Sequence, residues 1–447
     1  MTPEPSRCLN GPIVGAVGRG LYSIATLGTL VALVLLALFS SGDAHAQGTA
    51  TTDPPGANLD VSLFTFGPGE EVWERFGHNA IQIRDRSSGE AVLYNYGIFD
   101  FGQKNFFVNF ARGLMTYRIA AGDPADELPV YVAEGRWIVE QKLNLTPAQR
   151  AQLAGFLANN ARPENAEYRY DYFRANCSTR VRDALDAAAG GAIKAQTIAP
   201  SRGFTYRIDA DRLMRPDPLV MLAMDAGLGP YADQRLSNWD ESFVPMELMR
   251  HMREVRVVDE AGLPRPLVAA ETRLADARVP EPPDYAPQWV WPALATGIAA
   301  GFVLLGLGLG RRMRERAWAR AILATAVLTL SVVLGFAGIV LLALWGLTDH
   351  VSAWRNQNIL LFNPLCLALL PCWFGAYHAR WQPSRFAQRV AVLVAASAGL
   401  ALFIKVLPAF PQDNRMWIAL LLPVHLALSL LVLRAGVPEI KTGTGSR

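Results

Sequence analysis

The chain has 447 residues, of which 51% are hydrophobic and only 18% charged, and its mean hydropathy is +0.18. These values exclude a disordered chain and argue against a wholly water-soluble one. The formal net charge of +3 conceals an asymmetry: residues 47–288 hold 26 Lys/Arg against 33 Asp/Glu, and residues 289–447 hold 14 against 4. Positive charge placed between apolar runs, rather than on one soluble face, indicates membrane topology and no nucleic-acid partner.

At the N-terminus, Arg7 and Arg19 precede and open an apolar run, Leu21–Phe39, and Ala44 and Ala46 stand at the −3 and −1 positions of an A-x-A site. This pattern predicts a signal peptide over 1–46, although the long run also fits an uncleaved anchor. Next, Leu59–Phe66, Ala80–Asp85 and Ala91–Tyr96 predict strands rich in β-branched and aromatic residues, with a turn at Ser87-Ser88-Gly89. Trp137–Leu145 alternates as a further strand, and Thr146-Pro147 opens a helix to about Asn160. A tyrosine-rich stretch, Tyr168–Phe173, leads to Asn176-Cys177-Ser178-Thr179 and a helix closed by Gly190-Gly191. Residues 47–278 therefore read as one α+β extracytoplasmic domain, and 279–288 as a Pro-rich linker.

Five apolar segments follow, about 289–309, 321–347, 359–379, 390–407 and 416–433. Each is near the roughly 20 residues that a helix needs to cross the hydrocarbon core, so 289–447 reads as an all-α five-span bundle. Arginines crowd the loops after the first and third spans, and Arg434, Lys441 and Arg447 follow the fifth; the two intervening loops hold one Arg each. The positive-inside rule then puts 47–288 outside the cytoplasm and the C-terminus inside it.

The chain has four cysteines. Cys8 precedes the signal cleavage site, and Cys366 and Cys372 fall within a span, which leaves Cys177 alone in an exported domain where thiols normally pair. Asn176 is a good helix cap, and a helix start stabilises a thiolate, so the spacing predicts a lowered thiol pKa and a nucleophile. The commoner fate of a lone cysteine is a buried, inert one. Its partner would be His78, just before the strand from Ala80; His251, in a Met/Arg-rich helix, looks structural. With so few histidines the residues favour neither a zinc site nor any cofactor, and a nucleophile elbow and a phosphate loop are both missing.

FGHNAIQIRD, then LYNYGIFDF, then YRYDYFRANCSTRVRDAL together resemble the periplasmic domain of the Lnb-type lipoprotein intramolecular transacylases. The likeness covers roughly 58–260, with Arg136 and Gln141 as further support. That family is a branch of the papain-like cysteine superfamily with a permuted order, His before Cys. A more distant likeness is to the lecithin:retinol acyltransferase group. The resemblance implies a catalytic Cys177–His78 pair and a third polar residue that orients the imidazole; Asn95 is the candidate, with Asp171 or Asn79 as alternatives. It further implies a lipoprotein or phospholipid acyl donor, a thioester on Cys177, and transfer of the acyl group to an amine. Arg180 and Asp183 read as structural ion pairs.

The loop after the second span, Thr348–Asn358, sets Asp349, His350 and Asn358 against the interface, where costly polar groups often mark a substrate path. These three are candidate substrate-binding residues; a loop that merely bonds to itself is the plainer alternative. A cell-wall cysteine peptidase of the NlpC type would use the same pair, but it would not need so large a bundle. A non-enzymatic receptor or scaffold is the other rival.

Overall fold

A computed structural model describes residues 53–435; the signal peptide expected over 1–46, Cys8 and the tail with Lys441 and Arg447 lie outside the described residues. The strands of the main sheet are β1 (Leu59–Phe66), β2 (His78–Asp85), β3 (Ala91–Ile98), β4 (Thr116–Gly122), β5 (Ile138–Leu143), β6 (Glu167–Arg169) and β7 (Val268–Ala275). Among the described residues they form one seven-stranded antiparallel sheet in the order β7-β5-β1-β2-β3-β4-β6. Between and after them lie α1 (Phe106–Arg112), α2 (Pro124–Ala133), α3 (Pro147–Asn160), α4 (Cys177–Ala188), α5 (Pro218–Gly227) and α6 (Pro245–Met252).

Alternation sorts the side chains of the sheet onto two faces. Val61, Leu63, Ile81, Ile83, Tyr94 and Tyr96 pack with Leu153 and Leu157 of α3, Val181 and Leu185 of α4, and Leu248 of α6. Phe64, Phe66, Ala80, Leu93 and Ile138 pack on the other side, against Leu128 and Tyr131 of α2. The register pairs Phe66 with His78 and Ala80 with Asn95. His78 and Asn95 therefore project toward α2, while α4 approaches from the opposite face.

Among the described residues, five helical segments are long and apolar enough to cross a membrane: α7 (Val290–Leu309), α8 (Ala317–Leu347), a segment Gln357–Gly375, α9 (Arg385–Phe403, extended to Val406 by a 3-10 turn) and α10 (Arg415–Ala435). The third is not one continuous α-helix but 3-10 turns at Gln357–Leu360 and Pro364–Leu369 followed by a helix at Leu370–Gly375. Proline cannot donate a backbone bond, so Asn363-Pro364 interrupts the ladder. The freed Leu361 carbonyl instead accepts a bond from His425 Nε2 at 2.8 Å, as backbone polar groups at membrane depth must. α7 packs closely on α10 through Gly297 and Gly301, and a Cβ on Gly297 would collide with the Leu420 carbonyl.

The outer domain is hydrogen-bonded to the bundle. The carbonyls at the end of α5, which have no partner within the helix, accept from bundle amides: Asn356 Nδ2 reaches Ala226 O at 2.8 Å and Gly227 O at 2.9 Å, and Gln412 Nε2 reaches Leu228 O at 3.1 Å. Gly229 N donates to Ser352 O at 2.7 Å, and Trp417 Nε1 donates to Asp225 at 2.7 Å. The loops that make these bonds are the two poor in arginine, so charge asymmetry and geometry agree on which side the domain lies.

Candidate active site

β2 begins at His78, two residues before the strand that the patterning marks, so the imidazole is held by the sheet itself. His78 Nε2 lies 3.0 Å from Asn95 Oδ1. The Asn95 amide donates in turn to Glu127 Oε2 at 2.5 Å, from α2. A carboxylate only accepts, which fixes the amide so that its oxygen faces His78; that oxygen accepts as well, so Nε2 carries the proton. The neutral ring then has its lone pair on Nδ1. Of the alternatives to Asn95, the Asn79 side chain points the other way, to Thr65 Oγ1 at 2.8 Å and Phe64 O. Asp171 instead accepts from the backbone N–H groups of Phe173 and Arg174.

Cys177 is the first residue of α4. Asn176 caps that helix by accepting from Thr179 N at 2.9 Å, and its own amide donates to Tyr172 O and Phe243 O. The cap is thus anchored to two other segments, which fixes the position of the thiol. Gly97, which continues β3 past Asn95, has φ +93, and a Cβ there would stand 3.3 Å from Cys177 Cβ. Glycine serves twice here, for its backbone angle and for the close approach.

His78, Gly97, Phe99, Tyr117, Tyr170 and Cys177 line one cavity of about 380 Å³, together with Glu127, Tyr131 and Arg136. The electrostatics depart from the sequence expectation. Burial pushes the Cys177 thiol up from its ordinary value, outweighing the backbone N–H groups of Asn79, Ser178 and Cys177 that favour the thiolate. Burial also pushes His78 down to about 4; the bond to Asn95 opposes this, and nearby Arg136 adds to it. The aromatic walls that desolvate both groups are contributed by distant segments, so the helix start alone gave the wrong sign. At neutral pH the pair is thiol and imidazole, not thiolate and imidazolium.

Residues 46–210 match the family model of the Lnb N-terminal periplasmic domain, and residues 294–437 match that of the Lnb transmembrane domain. The chain belongs to the Lnb family. It is accordingly a multi-pass membrane protein of lipoprotein-modifying type with an extracytoplasmic domain. No curated protein and no solved structure matches it.

In this member of the Lnb family, Arg136 is buried at the cavity wall, donating to Gly67 O at 2.8 Å with its guanidinium 4.8 Å from the Tyr131 ring centre. Gln141 lies elsewhere, donating to Met249 O and Glu271. Asp183 pairs with Arg182 at 2.7 Å, and Arg180 instead covers the Tyr168 ring. Asp349 and His350 line a second cavity, of about 580 Å³, together with Tyr170 and Tyr172. Asp349 pairs with Arg169 at 2.8 Å and His350 Nε2 lies 2.9 Å from Phe110 O, so this loop bonds to the outer domain as well as to itself, as in Trp354 Nε1 to Thr348 O. Asn358 does not join them. It is fully buried, donating to Ala226 O and accepting from Asn414, because it serves the cap on α5.

Glu241, Glu247 and His251 form a buried cluster with the spacing of a metal site. With Asp209 they supply three carboxylates, and Arg202, Arg212 and Arg250 pair with them. The charge is already balanced, and His251 bonds Glu241 at 3.2 Å; this donor set fits an ion-pair network, not a metal. Sequence reasoning missed Glu127 and Tyr170. Asp123-Pro124 does signal the start of α2, but nothing local ties Glu127 to a residue 32 positions earlier.

Proposed function

We propose that the protein is a membrane-bound cysteine acyltransferase. It moves an O-acyl chain from a lipid or diacylglyceryl lipoprotein to an amine through a thioester on Cys177, as the Lnb resemblance implies. The observation that carries this reading is the shared cavity: an N-capped cysteine and a histidine whose Nε2 is held by Asn95, so that Nδ1 is the basic edge. The same pair, with His earlier in the chain than Cys, supports the permuted papain-like reading.

The chemistry follows from the protonation states. His78 Nδ1 takes the Cys177 proton as sulfur attacks the ester carbonyl. Backbone N–H groups at the start of α4 face the developing oxyanion, and one such donor is typically worth about 3 kcal/mol of barrier. The C–O bond breaks, the alcohol leaves with the proton from His78, and the acyl group stays on sulfur. An amine then attacks the thioester and gives a proton to His78; the C–S bond breaks and the sulfur recovers that proton. In the family reaction the ester is the sn-2 ester of the glyceryl group and the amine is the lipoprotein's own N-terminus, so the product is a lyso-form lipoprotein. A lipid donor also accounts for the bundle, because each acyl CH₂ drawn into water costs about 0.8 kcal/mol.

Intact-mass analysis of protein taken from membranes tests this. The expected result is a fatty-acyl adduct on Cys177 that hydroxylamine removes and that is lost when His78 is replaced by Gln. A Cys177→Ser protein that forms lyso-lipoprotein at the normal rate would overturn the proposal. Cleavage of peptidoglycan peptides without any acyl adduct would favour the peptidase reading instead.

A further inference from the structure

The segment between β3 and β4 has no part in the mechanism above, yet it is unusually apolar and open. Phe107, Val108 and Phe110 are exposed on the short helix α1, Phe107 by 72%, as is Phe101 in the turn before it, and no acidic residue falls from Gln103 to Arg112. In water such a patch is a liability, and when it is contiguous it marks an interaction site. Its surroundings identify the partner. Phe110 O accepts from His350 Nε2 at 2.9 Å, and Arg112 O accepts from Asp349 N at 2.8 Å. Those two residues come immediately after the membrane-spanning α8, which ends at Leu347. The helix is therefore tied by its C-terminal end to the mouth of the bundle, at the level where hydrocarbon gives way to headgroups. Lys104 and Arg112 at its two ends suit an interfacial helix.

From this patch a run of rings leads inward. Phe106 lies 6.3 Å from Phe99, Phe99 lies 5.2 Å from Tyr117, and Tyr117 stacks on Tyr170 at 4.1 Å. Phe99, Tyr117 and Tyr170 are walls of the cavity that holds Cys177. We propose that Phe99–Phe110 is embedded among the acyl chains of the outer leaflet and forms an apolar ramp from the bilayer into the Cys177 cavity. The embedding stands on the patch and its anchorage; the destination of the ramp rests on the acyl-transfer reading.

The test uses the full-length protein in phosphatidylethanolamine/phosphatidylglycerol vesicles, with the photoreactive p-benzoylphenylalanine in place of Phe107. A second protein carries it in place of Phe156, an exposed phenylalanine on α3. Illumination followed by intact-mass analysis is expected to add phospholipid masses at position 107 at least tenfold more than at position 156. Absence of a phospholipid adduct at 107, or equal yields at both positions, would overturn the inference. The readout needs no turnover, so a failed acyl-transfer assay would remove the proposed reaction and leave the embedding intact.

Discussion

An imidazole held at Nε2 by an amide oxygen and desolvated by Phe66 and Tyr131, with ring centres 5.8 and 6.2 Å away, is poised as a neutral base. The pH dependence follows with a definite sign. In the proposed mechanism His78 must be unprotonated to accept the thiol proton, and its value is pushed down to about 4. The acid limb of kcat/KM is therefore expected near pH 4, with a plateau through neutrality, since kcat/KM reports the free enzyme. A limb centred near 6.5 would show an ordinary, hydrated imidazole and contradict the structure. By the same logic Cys177, with its thiol raised by burial, should alkylate slowly with iodoacetamide at pH 7 and faster only as pH climbs above its ordinary value.

At the scale of elements, α7 and α10 owe their approach to small residues, which is how helices pack where lipid offers no hydrophobic drive. Gly297→Val should separate them, because its branched side chain would meet the Leu420 carbonyl, which is backbone and cannot swing aside. A cost of about 1–3 kcal/mol is expected, in the range of overpacked cores, measured as a lower melting temperature in detergent. An unchanged melt would show that the two helices are not so closely apposed. Much of this level was legible in the residues. Hydropathy marked the apolar segments, Thr146-Pro147 and Asn176 marked two helix starts, and β-branched runs marked β1 and β3, because these are local signals. β7 was not legible: its Ala269-Ala270-Glu271-Thr272-Arg273 lacks alternation, and it joins the sheet only by pairing with β5, over 120 residues away. The break in the third span was half-legible, since Asn363-Pro364 stood out but not the His425 bond that makes it tolerable. In the site, Cys177 and His78 carried local signals and Asn95 stood among three candidates. Glu127, the sign of the thiol shift and the burial of Asn358 depend on tertiary neighbours that no local pattern encodes.

Over the whole molecule, Arg207, Asp225 and Trp417 join the two halves. Arg207 pairs with Asp225 and Asp233 in near-complete burial, and Asp225 also accepts from the indole of α10. Breaking a buried pair from one side typically costs about 3–5 kcal/mol. If a protease site is placed at Asp284-Tyr285-Ala286 in the linker and cut in detergent, the outer domain should still co-elute with the bundle, and Asp225→Ala should lower the denaturant concentration at which it comes away. Separation of the uncut-strength halves on cleavage alone would mean that the chain merely tethers them. The bundle amides that grip the carbonyl end of α5 have one more consequence. They keep the sulfur from riding up or down relative to the bundle, so it is held at a single altitude. Under the acyl transfer proposed above, a donor would qualify by how high its ester floats, and a bulky head that props the ester out of range would be refused without any side chain having to read it.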